Sequence, residues 1–158
     1  MDSSLTNSFV VDQSPAAAFA AICDVRSWWS GHTEGSTTRL GDEFTYEVPD
    51  IHWCKFRITE LVPARTVSWL VLDSLLTFIA DKHEWTGTTV RFDVAELEGR
   101  TQIRFTHEGL LPEHECFDVC RNAWGEYLND SLRELIVSGS GRPNSFEGQV
   151  ALDSLCTT

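Results

Sequence analysis

The sequence has no basic cluster: 12 Lys and Arg are scattered among 24 Asp and Glu, for a formal charge of −12. Such a surface repels phosphate backbones and anionic headgroups, which argues against nucleic acid and membrane surfaces as partners. No stretch approaches the ~18 apolar residues of a membrane span, which gives no reason to expect membrane insertion. MDSSLTNSF also lacks the basic region and apolar core of a secretory leader, so the protein is read as cytoplasmic. Absent too are GxSxG, HExxH, a glycine-rich phosphate loop and any evident triad. There is no internal repeat and no low-complexity tract. At 158 residues a single domain can remove about 70% of its unfolded surface from water without staples.

Cysteine is present but in an odd number: Cys23, Cys54, Cys116, Cys120 and Cys156. A chain of this size needs no disulfide framework, so the expectation is five reduced thiols. Cys116 and Cys120 lie one helical turn apart, with His107 and His114 nearby in sequence. That spacing could hold a metal, but a structural zinc site has two close pairs and here there is one. Buried free thiols, with no metal and no cofactor, are the expected outcome.

What is present is a run of strands followed by one long amphipathic helix. Asn7–Val11 reads as a first strand, and Ser14-Pro15 opens a helix over AAAFAAI, with Ser14 as N-cap. Val25–Trp29 adds a second short helix, and SGHTEGSTT is a loop by composition. Two adjacent indoles, Trp28 and Trp29, are not expected to point into the core together; one lies against the sheet or caps the mouth of a cavity. From Leu40 the period becomes two. Phe44, Tyr46 and Val48 share one face of Glu43–Val48; Cys54, Phe56 and Ile58 share one face of Trp53–Leu61. A turn at Pro49-Asp50 joins these two strands. Thr66–Leu72 directs Val67, Trp69 and Val71 inward. Leu75–Ala80 is open between strand, helical turn and lid. Glu84–Glu96 and Arg100–Glu108 form a hairpin through Glu98-Gly99, with Val90, Phe92, Val94, Ile103, Phe105 and His107 inward.

The helix is expected to begin at Pro112-Glu113 and to end at Gly139, Gly141 and Pro143, roughly 26 residues or about 39 Å. Cys116, Phe117, Cys120, Ala123, Trp124, Tyr127, Leu128, Ser131 and Leu135 fall on its sheet-facing side. This face mixes thiols, an indole, a phenol and a hydroxyl with few branched aliphatics. It is either a core stripe whose polar atoms reach backbone partners or the wall of a ligand cavity. His107 has the same two readings, a satisfied core histidine or a polar contact at the cavity end.

EWTGTTVRFDV, GRTQIRFTHEGL and the helix carrying Trp124, Tyr127 and SLRELI before GSGRPN resemble the START-like superfamily. Within it, the group related to the C-terminal domain of the Hsp90 ATPase activator is the most similar. The resemblance covers Asn7 to Asn144. It implies the helix-grip fold, an α+β domain in which a curved antiparallel sheet wraps a long C-terminal helix, with two short helices after the first strand. Residues 1–144 are then one domain and 145–158 a loosely ordered tail. The family's use of the groove between sheet and helix for apolar molecules implies a binding protein.

Three functions follow as expectations. As a binding module the protein encloses a small apolar or aromatic ligand, with Tyr46, Phe56, Trp69, Phe92, Phe105, Cys120, Trp124 and Tyr127 as walls, and His107 and Tyr127 as polar contacts. As a cofactor-free enzyme it would use His107 as a base, assisted by Glu115, Cys116 or Cys120. As an interaction domain it would contact a chaperone or form a homodimer through apolar surface such as Leu75–Ile79.

Overall fold

A computed structural model of the chain describes residues 4–29, 33–48, 52–77, 79–80 and 82–142. The chain runs β1 (Leu5–Val11), α1 (Pro15–Cys23), α2 (Val25–Trp28), β2 (Glu34–Gly35), β3 (Glu43–Val48), β4 (His52–Val62), β5 (Thr66–Leu76), β6 (Thr89–Leu97) and β7 (Arg100–Glu108). It ends in α3 (Phe117–Glu126), a π-helical segment (Tyr127–Leu132) and α4 (Arg133–Ser138), which follow one another directly. All strands are antiparallel in one sheet of order β1-β7-β6-β5-β4-β3-β2, and α1 and α2 carry the chain from one edge to the other. This is the expected α+β helix-grip architecture. The Pro49-Asp50 turn, Phe78, Cys156 and the 145–158 tail lie outside the described residues.

Alternation sets which side of the sheet is dry. Val90, Phe92, Val94, Ile103, Phe105 and His107 are buried on one face. The other face carries the ion pairs Arg57–Glu43, Arg91–Glu60 and Arg91–Asp93. Register shifts at Lys55/Phe56 and Ile58/Glu60 interrupt the β4–β5 ladder, and such irregularities bend a sheet. The β6–β7 hairpin closes on Glu98 and Gly99, both at positive φ (52° and 80°), the turn whose twist matches paired strands. Ser14 caps α1 as its sequence predicts, its Oγ accepting from the Ala17 N–H at 3.1 Å.

Three local expectations are corrected, and part of one open segment is assigned. The strand expected from Glu84 begins at Thr89, because residues 82–87 form successive turns held by Thr86 N–H to the His83 carbonyl and Thr88 N–H to the Trp85 carbonyl. Leu75 and Leu76, within the segment left open, complete β5. Glu34-Gly35, read as loop, pairs with β3 as a short edge strand. The C-terminal helix starts at Phe117 instead of Pro112: the Glu84 carboxylate accepts from the backbone N–H groups of Glu115 (3.1 Å) and Cys116 (2.9 Å), so a remote side chain sets the start. Gly139, at φ 86°, ends it as expected.

The π-helical segment also changes which residues face the sheet. Cys120, Trp124, Leu128, Leu132 and Ile136 are buried, whereas Leu135, expected inward, is half-buried. In an α-helix a four-residue spacing drifts by about 40° per step. The wider turn takes up that drift and keeps the stripe on the sheet.

Ser131 fastens this helix to α2. Its Oγ donates to the Trp28 carbonyl at 2.6 Å and accepts from the Arg142 N–H at 2.7 Å, and a Cβ at Gly141 would strike the Ser27 carbonyl. Ser131→Ala should therefore cost about 1–2 kcal/mol in urea unfolding. A loss indistinguishable from zero would mean that this anchor is not formed in solution.

Candidate aromatic binding site

The dry face of the sheet meets the C-terminal helix through flat rings. Tyr46, Phe56, Trp69, Phe92, Phe105 and Trp124, six of the expected walls, are all buried there. Phe92 lies 5.3 Å from Phe105 and 5.2 Å from Trp69, and Phe105 lies 4.6 Å from Trp124. The structure thus brings strand and helix residues into one cluster. Tyr127 is half-buried at the edge of the core.

Trp28 and Trp29 are both buried, which corrects the expectation for the paired indoles. Trp28 ends α2 and donates its Nε1–H to the Ile22 carbonyl at 3.0 Å, while Trp29 follows the helix and turns between sheet and C-terminal helix. The Trp29 ring stacks on Tyr46 at 4.1 Å and lies 4.8 Å from Trp124, 5.5 Å from Phe56 and 6.0 Å from Trp69. It is the centre of the cluster, and sequence reasoning did not include it among the walls. Trp85 was missed as well. In a strand continued back from Val90, Phe92 and Val94, residue 85 has outward parity; the turns at 82–87 break that parity and bury its indole 5.9 Å from Trp124.

His107 is completely buried and both its ring nitrogens are engaged. The Trp124 Nε1–H donates to its Nδ1 at 3.3 Å, which leaves the proton on Nε2. Nε2–H then donates to Thr88 Oγ1 at 2.8 Å, whose hydroxyl donates to the Trp85 carbonyl at 2.5 Å. Burial holds this imidazole neutral, lowering its pKa to about 3, with the neighbouring His52 and His114 pushing the same way. This geometry matches the satisfied core histidine and leaves no lone pair for a base. His52 packs edge-on against Trp85 at 4.5 Å and Tyr46 at 5.2 Å, and burial lowers its pKa to about 3 as well.

Cys116 and Cys120 form a disulfide, a correction to the reduced thiols expected. The first turn of the helix sets their Cα atoms 5.6 Å apart, inside the range that a disulfide spans, and both face the interior. So joined, Cys120 is a buried apolar side chain and neither sulfur is a nucleophile. Cys23 and Cys54 are free and buried, and desolvation raises the Cys23 pKa to about 11. Glu115 accepts from the Ala80 N–H at 3.0 Å. Among the described residues no group of three or more His, Cys, Asp or Glu could hold a metal ion, and no helix is long and apolar enough to cross a membrane.

Residues 13–136 match the family described as Activator of Hsp90 ATPase homolog 1-like protein. The chain belongs to that family. No curated protein matches it in sequence. Solved structures with the same fold as this Hsp90-activator-like chain include the Aha1 dimer from Colwellia psychrerythraea, at TM-score 0.70 and 21% identity, covering 87% of this chain and 98% of that one. A protein from Staphylococcus saprophyticus gives TM-score 0.66 and 16% identity, with 90% and 96% covered. CalU16 from Micromonospora echinospora gives 0.60 and 13%, with 97% and 87% covered. At these identities the likeness is one of fold.

Proposed function

We propose that this Hsp90-activator-like domain is a cofactor-free binding protein that encloses a small apolar or aromatic ligand between the sheet and the C-terminal helix. The observation that carries the reading is the make-up of the interior. Rings from β3 to β7, α2 and α3 meet there: Trp29 stacks on Tyr46 and on Trp69 and Trp85 stacks on Trp124, while Phe105 is tilted against Trp124 and Phe92 meets Phe105 edge-on. Ring faces give large contact area with few rotors, and stacked planes can part around a flat guest with little loss of contact. Tyr46, Phe56, Trp69, Phe92, Phe105, Cys120 and Trp124 form the walls of the proposed site, Tyr127 its polar rim, and His107 a neutral wall held in place by Trp124 and Thr88.

Native mass spectrometry of gently purified protein tests this. An adduct on the order of a few hundred daltons, lost on denaturation, supports enclosure of a drug-sized ligand. Protein that is bare and also takes up no fluorene in a calorimetric titration defeats it.

A second reading is an interaction role, favoured by the family description and by the dimeric Aha1 relative. On that reading the domain contacts an Hsp90-type chaperone, or a second copy of itself, without needing an open interior. Stimulation of a chaperone's ATPase by the purified domain would support it, and a monomer that leaves the ATPase unchanged would count against it. Catalysis ranks third, because both nitrogens of His107 are bonded and Cys116 and Cys120 are joined.

A further inference from the structure

We propose that the guest of the aromatic interior is a neutral acceptor-bearing aromatic, a ketone or quinone, whose carbonyl oxygen takes a hydrogen bond from the indole N–H of Trp69 or Trp85. The inference rests on the binding reading above and narrows it to a ligand class.

The argument comes from the hydrogen-bonding inventory of the interior. Trp28 donates to the Ile22 carbonyl and Trp124 donates to His107, so these two indoles are satisfied. Trp69 is 0% and Trp85 2% exposed, and neither Nε1–H has a partner among the described residues. An indole nitrogen is a donor only, and a buried donor left unpaired is uncommon in a native interior. Beside Trp85, three acceptors already serve other donors: His107 Nδ1 takes Trp124, Thr88 Oγ1 takes His107, and the Trp85 carbonyl takes Thr88. The ring cluster therefore has donors in surplus. The two indoles are joined through it, since Trp29 stacks near Trp69 and lies against Trp124, which stacks near Trp85.

A guest that complements this inventory brings an acceptor. An amine or ammonium would set donor against donor. A carboxylate would bring acceptors but also a charge, and the buried polar residues of the described chain are Ser, Thr and His107, with no Lys or Arg among them. An unpaired buried charge is far costlier than a buried neutral carbonyl, so a fatty-acid-like anion fits poorly. Between a pure hydrocarbon and a ketone of the same shape, only the ketone satisfies an indole that is otherwise unpaired.

The test is a calorimetric titration with three probes built on one ring system: fluorene, 9-fluorenone of nearly the same shape, and the bulkier, charged fluorene-9-carboxylate. The expected order is ketone tightest, about tenfold over the hydrocarbon, with the carboxylate weakest. Trp69→Phe or Trp85→Phe should abolish the ketone's advantage over fluorene, whatever the change in affinity for the ring system itself, and a cooperative urea transition reports that the variant is folded. In wild-type protein, the indole N–H resonance of Trp69 or Trp85, assigned with those variants, should move downfield with fluorenone and not with fluorene. Equal affinity for fluorene and fluorenone, a preference for the carboxylate, or N–H shifts confined to other indoles overturns the acceptor inference while the binding reading stands. Failure of all three probes to bind overturns both.

Discussion

Trp29→Ala is expected to destabilise the domain by about 3–5 kcal/mol in urea unfolding, the range for removing a buried tryptophan ring. The size follows from its position, since Trp29 touches Tyr46 from β3, Phe56 from β4, Trp69 from β5 and Trp124 from the helix. No other described ring touches β3, the centre of the sheet and the helix together. A native domain has about 5–15 kcal/mol in all, so the variant should remain folded but with much of its margin gone. If the surrounding rings hold their places, the hole is dry and apolar, and such holes accept small aromatics. Added indole should then raise the melting temperature of Trp29→Ala and leave the wild type unaffected. A loss below about 1 kcal/mol would show that Trp29 is not packed as described. A large loss without indole rescue would show that Tyr46 and Trp124 close over the gap. The variant also bears on the proposed site. Tighter fluorene binding than wild type would mean that the Trp29 ring occupies the guest's space, and weaker binding would make Trp29 part of its wall.

Which parts of this arrangement were legible beforehand follows from how far each signal reaches. In β3, in β7 and in β4 as far as Ile58 the side-chain period is strict, so Tyr46, Phe56, Phe105 and His107 could be placed inward from alternation alone. The helix face was legible in its first half, where Cys120 and Trp124 are indeed buried. Beyond Tyr127 the inward set shifts from Leu135 to Ile136, because a π-helical turn changes the angular step and leaves no local mark in composition. Trp29 and Trp85 were missed for a related reason: each lies in irregular backbone, one after a four-residue helix and one in a turn, where neither period applies. The start of the C-terminal helix was misplaced because its cap comes from Glu84, a contact across 32 residues from Cys116. The disulfide was missed because the odd cysteine count pointed to free thiols, whereas pairing depends only on two sulfurs meeting.

The buried imidazole makes stability depend on pH in a direction that the structure dictates. In the unfolded chain His107 protonates near the ordinary histidine value of about 6.5. In the native domain it stays neutral until about pH 3. As pH falls through that window the unfolded state binds more protons than the native one, so stability is greatest above the unfolded value and is lost toward acid. A single site of this kind removes about 1.4 kcal/mol per pH unit once below its unfolded value, or about 2 kcal/mol between pH 7 and 5. His52 acts in the same direction, and its residue is partly open to solvent, so His107 carries the more secure share. The groups facing His107 strengthen the expectation. Trp85, Trp124 and Thr88 are uncharged, and the titratable neighbours His52 and His114 disfavour a proton on it. No carboxylate among the described residues is buried beside it to reward protonation. Urea unfolding at about pH 8, 6.5 and 5 should show the decline, and His107→Gln, neutral throughout and able to both donate and accept, should reduce its slope by up to one proton. A wild-type stability that is flat over this range, or a slope that His107→Gln leaves untouched, would place His107 outside the dry interior. It would then be open to solvent and free to act as the acid or base that its present hydrogen bonds prevent.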